Sequence, residues 1–314
     1  MTNKRLLAKL GLIVTTAIWG STFLLVQESL DGGTTPFTFI FFRFLIAAII
    51  IIPFLSLYSN NPQKIDSSLN AFNRNEIIFG FLCGFLLYAG YVFQTYGLIF
   101  TLETKSAFIT GTSVLIVPII VFIYKRQKIS YKLIISILVV LLGLYLFQEP
   151  GKVTSTNINN FAQKSVPNIG DLLTFGCAIF FAMHIVAQSD AVQNKINLMR
   201  FLIIQFLTVS VLSGTSTLFT DGFIANYDSQ LLISLIINGI FASTIAIFIM
   251  VWAQKILSAS ETAIIFSLEP IFALIFSIII HGIRGFESYV GILQWGGGIL
   301  IVAAVIFYSI ETEK

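Results

Sequence analysis

Ten apolar stretches alternate with polar connections along the 314 residues of the chain. Each is close to the length of about 20 residues that a helix needs to cross the hydrocarbon core of a bilayer. We number them spans 1 to 10 in chain order, at residues 6–26, 36–57, 77–100, 105–124, 131–148, 170–189, 198–219, 231–254, 259–280 and 289–310. The expected fold class is an all-α integral membrane protein with ten transmembrane helices.

Composition supports a membrane protein and argues against several other classes. Hydrophobic residues make up 56% of the chain and charged residues only 11%, against about 25% charged residues in a soluble domain. The net charge of +3 is too small to indicate a nucleic-acid partner. Cys83 and Cys177 lie inside apolar spans, and with two scattered histidines they predict neither a disulfide nor a metal site. The first apolar stretch lacks a small-residue cleavage site, so we expect a retained span.

The distribution of basic residues predicts the orientation of the chain in the membrane. An even number of spans leaves both termini on one side. Cytoplasmic termini place 13 Lys and Arg residues on the inside, against 4 on the outside and one within a span. Because cytoplasmic loops carry an excess of basic residues, we expect both termini in the cytoplasm of a plasma membrane of the bacterial type.

The two halves of the chain are similar to each other. Residues 17–22 of span 1 match residues 178–183 of span 6, and the same register carries Gln27 onto Gln188. Further matches in the same order pair 42–45 with 204–207, Gln94 with Gln254, and 106–109 with 262–265. The predicted organisation is a first five-helix repeat at 1–148, an external linker at 149–169 and a second repeat at 170–314.

The repeat itself predicts a class of function. Five spans per copy is an odd number, so the second copy must enter the membrane from the opposite face, and the repeats are inverted. Inverted repeats are a recurring plan of secondary transporters, in which the binding site lies near the midplane between the copies.

Several of the aligned residues also resemble a known family. The motifs that carry the resemblance are Trp19-Gly20-Ser21-Thr22-Phe23, Arg43-Phe44, Thr110-Gly111 before Pro118, Gly170-Asp171 and Leu268-Glu269-Pro270. From about residue 6 to 310 the chain resembles the EamA-type members of the drug/metabolite transporter superfamily. The resemblance implies two inverted five-helix halves, cytoplasmic termini and a central cavity lined prominently by spans 3, 4, 8 and 9. Members of this family move small metabolites and often export amino acids or related compounds, but no motif fixes the substrate.

Two charged residues stand inside the membrane. Glu269 lies about ten residues into span 9, roughly 15 Å deep and near the midplane, where a carboxylate is costly and indicates a functional site. A protonated Glu269 bonded to a neighbouring helix is the alternative. Arg43 lies about 10 Å below the outer boundary in span 2, and either Glu269 or Glu28 could pair with it. The repeat gives both charges neutral counterparts, Gln205 for Arg43 and Ser113 for Glu269.

Other polar residues inside the spans are candidates for substrate binding or gating, with ordinary packing as the alternative for each. Together with Glu269 and Arg43 the set comprises Trp19, Tyr88, Tyr91, Gln94, Ser113, His184, Asn238 and Thr244, with Ser243 beside them. Tyr88 and Tyr91 could hold a substrate ammonium group by cation–π attraction. His184 could relay a proton with Glu269, or could be neutral and hydrogen-bonded. Pro118 and Pro270 are helix-kink candidates, because proline frees the carbonyl group four residues earlier.

The sequence thus predicts a secondary transporter that exports a small metabolite such as an amino acid by alternating access. Expected partners are that substrate and membrane lipid; no cofactor is expected, although a proton could be coupled through Glu269, and the oligomeric state is not predicted. The main alternative is a flippase for a lipid or lipid-linked sugar, whose cavity would open sideways to lipid. A membrane enzyme is disfavoured because Ser113 aligns with Glu269 and no suitable histidine motif follows, and a channel is disfavoured because no filter signature occurs.

Overall fold

A computed structural model describes residues 2–59, 73–147, 168–194, 196–220, 222–283 and 290–311. Helices occupy all ten predicted spans within these ranges. Seven spans are single helices: Thr2–Asp31, Pro36–Ser59, Arg74–Phe100, Tyr131–Phe147, Ile169–Gln193, Leu198–Phe219 and Ile292–Glu311, which form spans 1, 2, 3, 5, 6, 7 and 10. Almost all of the predicted linker at 149–169 lies outside the described residues.

The remaining three spans are interrupted. Span 4 consists of helices Glu103–Gly111 and Ser113–Lys125, and span 9 of Ala259–Phe266 and Glu269–Ile283. Span 8 runs from Ser229–Ile236 through a π-helical segment, Ile237–Ile245, into Ala246–Ala253. In the part of the chain that the structure describes, nine spans are long and apolar enough to cross a membrane, and span 5 is a shorter apolar helix.

Local sequence signals define several helix starts. Spans 3, 6 and 9 each begin with a capping box, formed by Asn73 with Glu76, Asn168 with Asp171, and Ser258 with Glu261. In this motif each side chain accepts a hydrogen bond from the backbone N–H of the other residue, so that N–H groups without helical partners are satisfied. These starts agree with the predicted span boundaries to within a few residues.

Contacts between spans follow a two-fold pattern. Span 3 packs on span 6, and correspondingly span 8 packs on span 1; span 3 also packs on span 7 as span 8 packs on span 2. Spans 1 and 9 pair as spans 6 and 4 do, whereas the pairs 2 with 7, 5 with 10 and 4 with 9 are their own counterparts. When each span is replaced by its counterpart in the other half, five numbers higher or lower, every major contact between spans is found again. The structure therefore confirms two related five-helix halves, which are inverted because five is odd.

Spans 4 and 9 break at matched positions. The second helix of span 4 begins at Ser113 and that of span 9 at Glu269, which are the residues paired by the repeat alignment. Pro270 follows the break in span 9 directly and cannot donate a hydrogen bond to the Phe266 carbonyl group. Pro118, the kink candidate of span 4, lies inside its second helix, and the break itself lies at Thr112. There the hydroxyl group and the backbone N–H both bond the Ile109 carbonyl oxygen, at 2.6 and 3.0 Å, and tighten the turn.

Candidate functional site

A buried cavity lies at the level of these two breaks, between spans 1, 2, 3, 4, 6, 8 and 9. Seven of the ten predicted binding or gating residues line it: Trp19, Arg43, Tyr91, Gln94, Ser113, His184 and Glu269. Its volume is about 40 Å³, which corresponds to room for only a few water molecules. The spans must therefore separate before a metabolite can bind in the cavity.

Arg43 is held in the cavity wall without a carboxylate partner among the described residues. Its side chain is 3% exposed, Nε donates to Ser243 Oγ at 2.8 Å and Nη2 donates to Tyr91 Oη at 2.9 Å. The guanidinium carbon lies 4.3 Å from the centre of the Tyr91 ring. Neither of the two possible pairings is present in the part of the chain that the structure describes: Glu269 is not within ion-pair distance of Arg43, and Glu28 accepts a hydrogen bond from Gln230 at 3.1 Å. The π-helical segment of span 8 supplies Ser243 in place of a carboxylate.

Glu269 faces the same cavity and is 7% exposed. Among the described residues its carboxyl group has no hydrogen-bond or ion-pair partner. A buried carboxylate in this position must be compensated by a proton, by water or by a cation. The backbone of span 1 fixes its position closely, because a Cβ atom on Gly20 would lie 2.9 Å from the Glu269 carbonyl oxygen.

Trp19 connects span 1 with both interrupted helices of the second half. Its Nε1 donates to the Ala242 carbonyl oxygen at 2.8 Å, within the π-helical segment. Its ring lies 4.9 Å from the ring of Phe266, at the end of the first helix of span 9. The indole N–H is thus satisfied by backbone, as expected, and the ring forms part of the cavity wall.

Of the two candidate tyrosines, one lines the cavity and the other does not. Tyr88 Oη bonds Ser216 Oγ on span 7 at 2.6 Å, and Tyr88 does not line the cavity. The Tyr91 ring does line it, but the Arg43 guanidinium group already lies against that ring. Aromatic attraction at this site therefore acts on a cation of the protein.

Two other predicted residues of span 8 are also outside the cavity. Asn238 Nδ2 donates to the Ser234 carbonyl oxygen at 2.9 Å, and Thr244 Oγ1 donates to that of Gly239 at 2.9 Å. Span 8 contributes only Met250 to the lining, so the prominence implied for this span by the resemblance is wrong. Other polar side chains of this span bond neighbouring spans: Ser243 accepts from Arg43, Ser234 contacts Ser29 on span 1, and Gln254 contacts Gln188 on span 6.

His184 forms a second polar contact of the cavity wall. Its Nε2 lies 3.0 Å from Nε2 of Gln205, and both side chains are buried. Gln205 is the repeat counterpart of Arg43, so matched positions on spans 2 and 7 hold polar neighbours of the cavity in both halves. The neutral, hydrogen-bonded form expected for a buried histidine fits this contact.

Two glutamine pairs at matched positions differ in their bonding. At the ends of spans 6 and 8 on the predicted cytoplasmic side, Gln188 Nε2 donates to Gln254 Oε1 at 2.9 Å. Their repeat counterparts Gln27 and Gln94, near the outer ends of spans 1 and 3, are not bonded to each other, and Gln27 Oε1 is buried without a partner among the described residues. The two halves are therefore in different local conformations.

Comparison with known proteins agrees with this architecture. The model of the EamA-like transporter family matches residues 6–148 and again residues 168–310. A relative described as an uncharacterized transporter from Archaeoglobus fulgidus is 30% identical over 310 residues, covering 98% of this chain and 87% of the relative. A protein of known crystal structure shares the fold with a TM-score of 0.70 at 15% identity, over 98% of this chain and 99% of that one.

The chain belongs to the EamA-like transporter family. It is accordingly a multi-pass membrane transporter and not an enzyme.

Some cavity residues of this EamA-like transporter gave no signal in the sequence. Leu87 and Leu98 lie on the same face of span 3 as Tyr91 and Gln94, at helical spacing. Val26, Phe181 and Ile185 on spans 1 and 6 were missed in the same way, whereas Thr22 and Phe23 belong to the recognised motif of span 1 but were not predicted to bind a ligand. Most are apolar residues within apolar spans, and only extending the helical face from a polar neighbour could have identified them.

Proposed function

We propose that this EamA-like transporter is a secondary carrier that exports a small zwitterionic metabolite, an amino acid or a related compound. One observation carries the proposal: Arg43 and Glu269 face one buried cavity but do not pair with each other. The guanidinium charge is permanent, and a buried charge is costly unless it is paired. A ligand with one carboxylate and one ammonium group would compensate both residues at once.

The break in span 4 supports a direction for the bound ligand. Ser113 begins a helix inside the membrane, and helix N-termini favour negative charge. In transporters, interrupted helices present such ends to anionic substrate groups near the midplane. We therefore assign the ligand carboxylate to Arg43 and the Ser113 end, and the ammonium group to Glu269, which occupies the matching end in span 9 with its own carboxylate.

The same arrangement suggests how export is driven. The Glu269 carboxylate can hold either a proton or the ligand's ammonium group, but not both. Exchange of one for the other would couple outward movement of the metabolite to inward movement of a proton by alternating access. Changes of state would expose the cavity first to the cytoplasm and then to the outside.

An enclosed cavity favours a metabolite carrier over a flippase. Of the lining residues, only Trp19 and Phe181 are partly exposed, and the others are buried. A lipid substrate needs a lateral opening toward the bilayer for its acyl chains. A polar metabolite needs access only from the two aqueous sides.

Flux measurements in proteoliposomes test the assignment of Glu269. Wild type should carry labelled amino acids with a rate that depends on pH. Glu269→Gln should lower this rate at least about tenfold and flatten the pH profile, because an amide side chain does not titrate. Glu28→Gln, an acid outside the cavity, is the matched control. An unchanged rate and pH profile in Glu269→Gln would remove this residue from the mechanism.

Competition by truncated ligands tests the zwitterion itself. Amines that lack the carboxylate and acids that lack the ammonium group should compete poorly with the labelled amino acid in wild type. Arg43→Gln should lose discrimination against the amine, since the carboxylate then has no cationic partner. Equal competition by the amine, the acid and the unlabelled amino acid in wild type would contradict the zwitterion assignment.

A further inference from the structure

A second cavity of about 260 Å³ opens at the cytoplasmic ends of spans 4, 5, 6, 9 and 10. In contrast to the central cavity, polar side chains dominate its wall. These include Lys125, Lys128, Ser130, Ser189, Ser260 and Tyr308. Pro118, a predicted kink residue, also lines this cavity and not the central one.

This cytoplasmic cavity lies directly below the central cavity on the same helices. On span 4, Ser113 lines the central cavity and Pro118 the cytoplasmic one; on span 6 the corresponding residues are His184 and Ser189. Five residues of helix correspond to about 7.5 Å. The layer between the cavities is therefore about one and a half helical turns thick, and its side chains, such as Val117, are fully buried.

The chemistry of the cytoplasmic cavity suits an anion. Lys125 forms an ion pair with Asp190 that joins the ends of spans 4 and 6, whereas Lys128 has no carboxylate partner in the part of the chain that the structure describes. Ser189 is 1% exposed, and its Oγ has no hydrogen-bond partner among the described residues although it lines the cavity. Ala259 and Ser260 add the first residues of the first helix of span 9, whose N-terminus is capped by the side chains of Ser258 and Glu261.

We propose that the cytoplasmic cavity is a loading site, in which Lys128 and Ser189 bind the carboxylate of the substrate before it passes to Arg43. The inference rests on the proposed function for the identity of the substrate, but the anion site itself does not. An excess of basic residues on the inside is general in membrane proteins. A buried residue of the cavity wall whose hydroxyl group has no hydrogen-bond partner among the described residues is not explained by that rule.

Thiol labelling tests the anion site without transport. Ser189→Cys is placed in a chain that carries Cys83→Ala and Cys177→Ala, and the purified protein is treated with an anionic and a cationic thiol reagent of similar size. The anionic reagent should react faster, and Lys128→Gln should lower its relative rate about tenfold, because a cavity lined by one sign of charge concentrates the opposite ion. Acetate should slow the reaction.

Lys132→Gln is the matched control, since it removes a cytoplasmic positive charge outside the cavity. An equal change in the rate ratio for Lys128→Gln and Lys132→Gln would overturn the site, as would failure of both reagents to react at residue 189.

Sided transport tests the loading role. In inside-out proteoliposomes, Lys128→Gln should raise the KM for amino acid supplied at the cytoplasmic face three- to tenfold and leave the KM at the outer face unchanged. A rise confined to vesicles that contain anionic phospholipid would identify a lipid headgroup as the occupant and overturn the loading role. Charge-selective labelling with no amino-acid flux in wild type would instead refute the proposed function while supporting the anion site.

Discussion

Arg43 illustrates how a permanent cation can be kept inside an apolar span with no carboxylate partner in the part of the chain that the structure describes. Desolvation of an ion costs several kcal/mol. Against this, a desolvated cation–π contact with Tyr91 contributes about 2 kcal/mol, and each hydrogen bond to the charged group about 1.5–3 kcal/mol. The desolvation cost of the guanidinium group is thus largely offset, but by neutral groups only. The positive charge of the site is therefore left for the proposed anionic ligand to compensate.

Removal of the Tyr91 hydroxyl group tests this balance. Tyr91→Phe keeps the ring under Arg43 but deletes the bond to Nη2, so we expect a loss of about 1.5–3 kcal/mol in stability. The substrate KM should rise about tenfold, because the guanidinium group loses its orientation. Tyr88→Phe, which deletes the bond to Ser216 outside the cavity, should lower the melting temperature in detergent without changing KM. A similar KM for both variants and wild type would refute a positioning role for Tyr91.

For single residues, the sequence revealed which side chains are charged but not which side chains point toward the cavity. Arg43 and Glu269 were identifiable because a charged residue in an apolar span is conspicuous. Tyr88 and Tyr91 were not separable, since three residues along a helix differ by about 60° in direction, and the neighbouring span decides which of them reaches the cavity. Span 7 holds Tyr88 and the cavity receives Tyr91.

At the scale of helices, spans 1 and 9 approach each other closely at Gly20. A Cβ atom at Gly20 would lie 2.7 Å from Cβ of Phe272 and 2.8 Å from the backbone nitrogen of Ala273. Small residues at such crossings allow helices in membranes to pack closely. Gly20 thereby sets the distance between Trp19 on span 1 and Glu269 on span 9.

Gly20→Ala should therefore separate the two spans. We expect a loss of about 1–3 kcal/mol from overpacking, together with reduced flux because Glu269 moves relative to Arg43. Thermal unfolding in detergent and proteoliposome flux measure the two effects. Gly282→Ala, where an added Cβ meets nothing within 4 Å, should leave both nearly unchanged. Equal stability of the two alanine variants would contradict the close contact.

Span positions were well predicted because hydrophobic length is a property of the sequence alone. The interruptions were predicted less well. A proline marked the break in span 9, but the break in span 4 depends on the Thr112 hydroxyl group, and the π-helical segment of span 8 receives a bond from Trp19 in another half of the molecule. A helix interruption that is stabilised by residues distant in the chain leaves no periodic signal in the sequence.

At the scale of the whole molecule, the proposed orientation places residues 222–228 outside and residues 126–130 inside. Cysteine accessibility tests it, because Cys83 and Cys177 are buried and contribute little background. An impermeant thiol reagent added to intact cells should label Asn226→Cys and should label Gln127→Cys only after permeabilisation, since both side chains are exposed on opposite faces. The reverse pattern would invert the topology.

The unequal glutamine pairs have a consequence for the populations of the transport states. If the halves were identical, exchange of their conformations would convert one state into the other at no cost in free energy, and both would be equally populated. The bias between inward-facing and outward-facing forms must then come from matched positions that differ, above all Arg43 against Gln205 and Glu269 against Ser113. The residues proposed to bind the ligand would thus also determine which way the empty carrier faces.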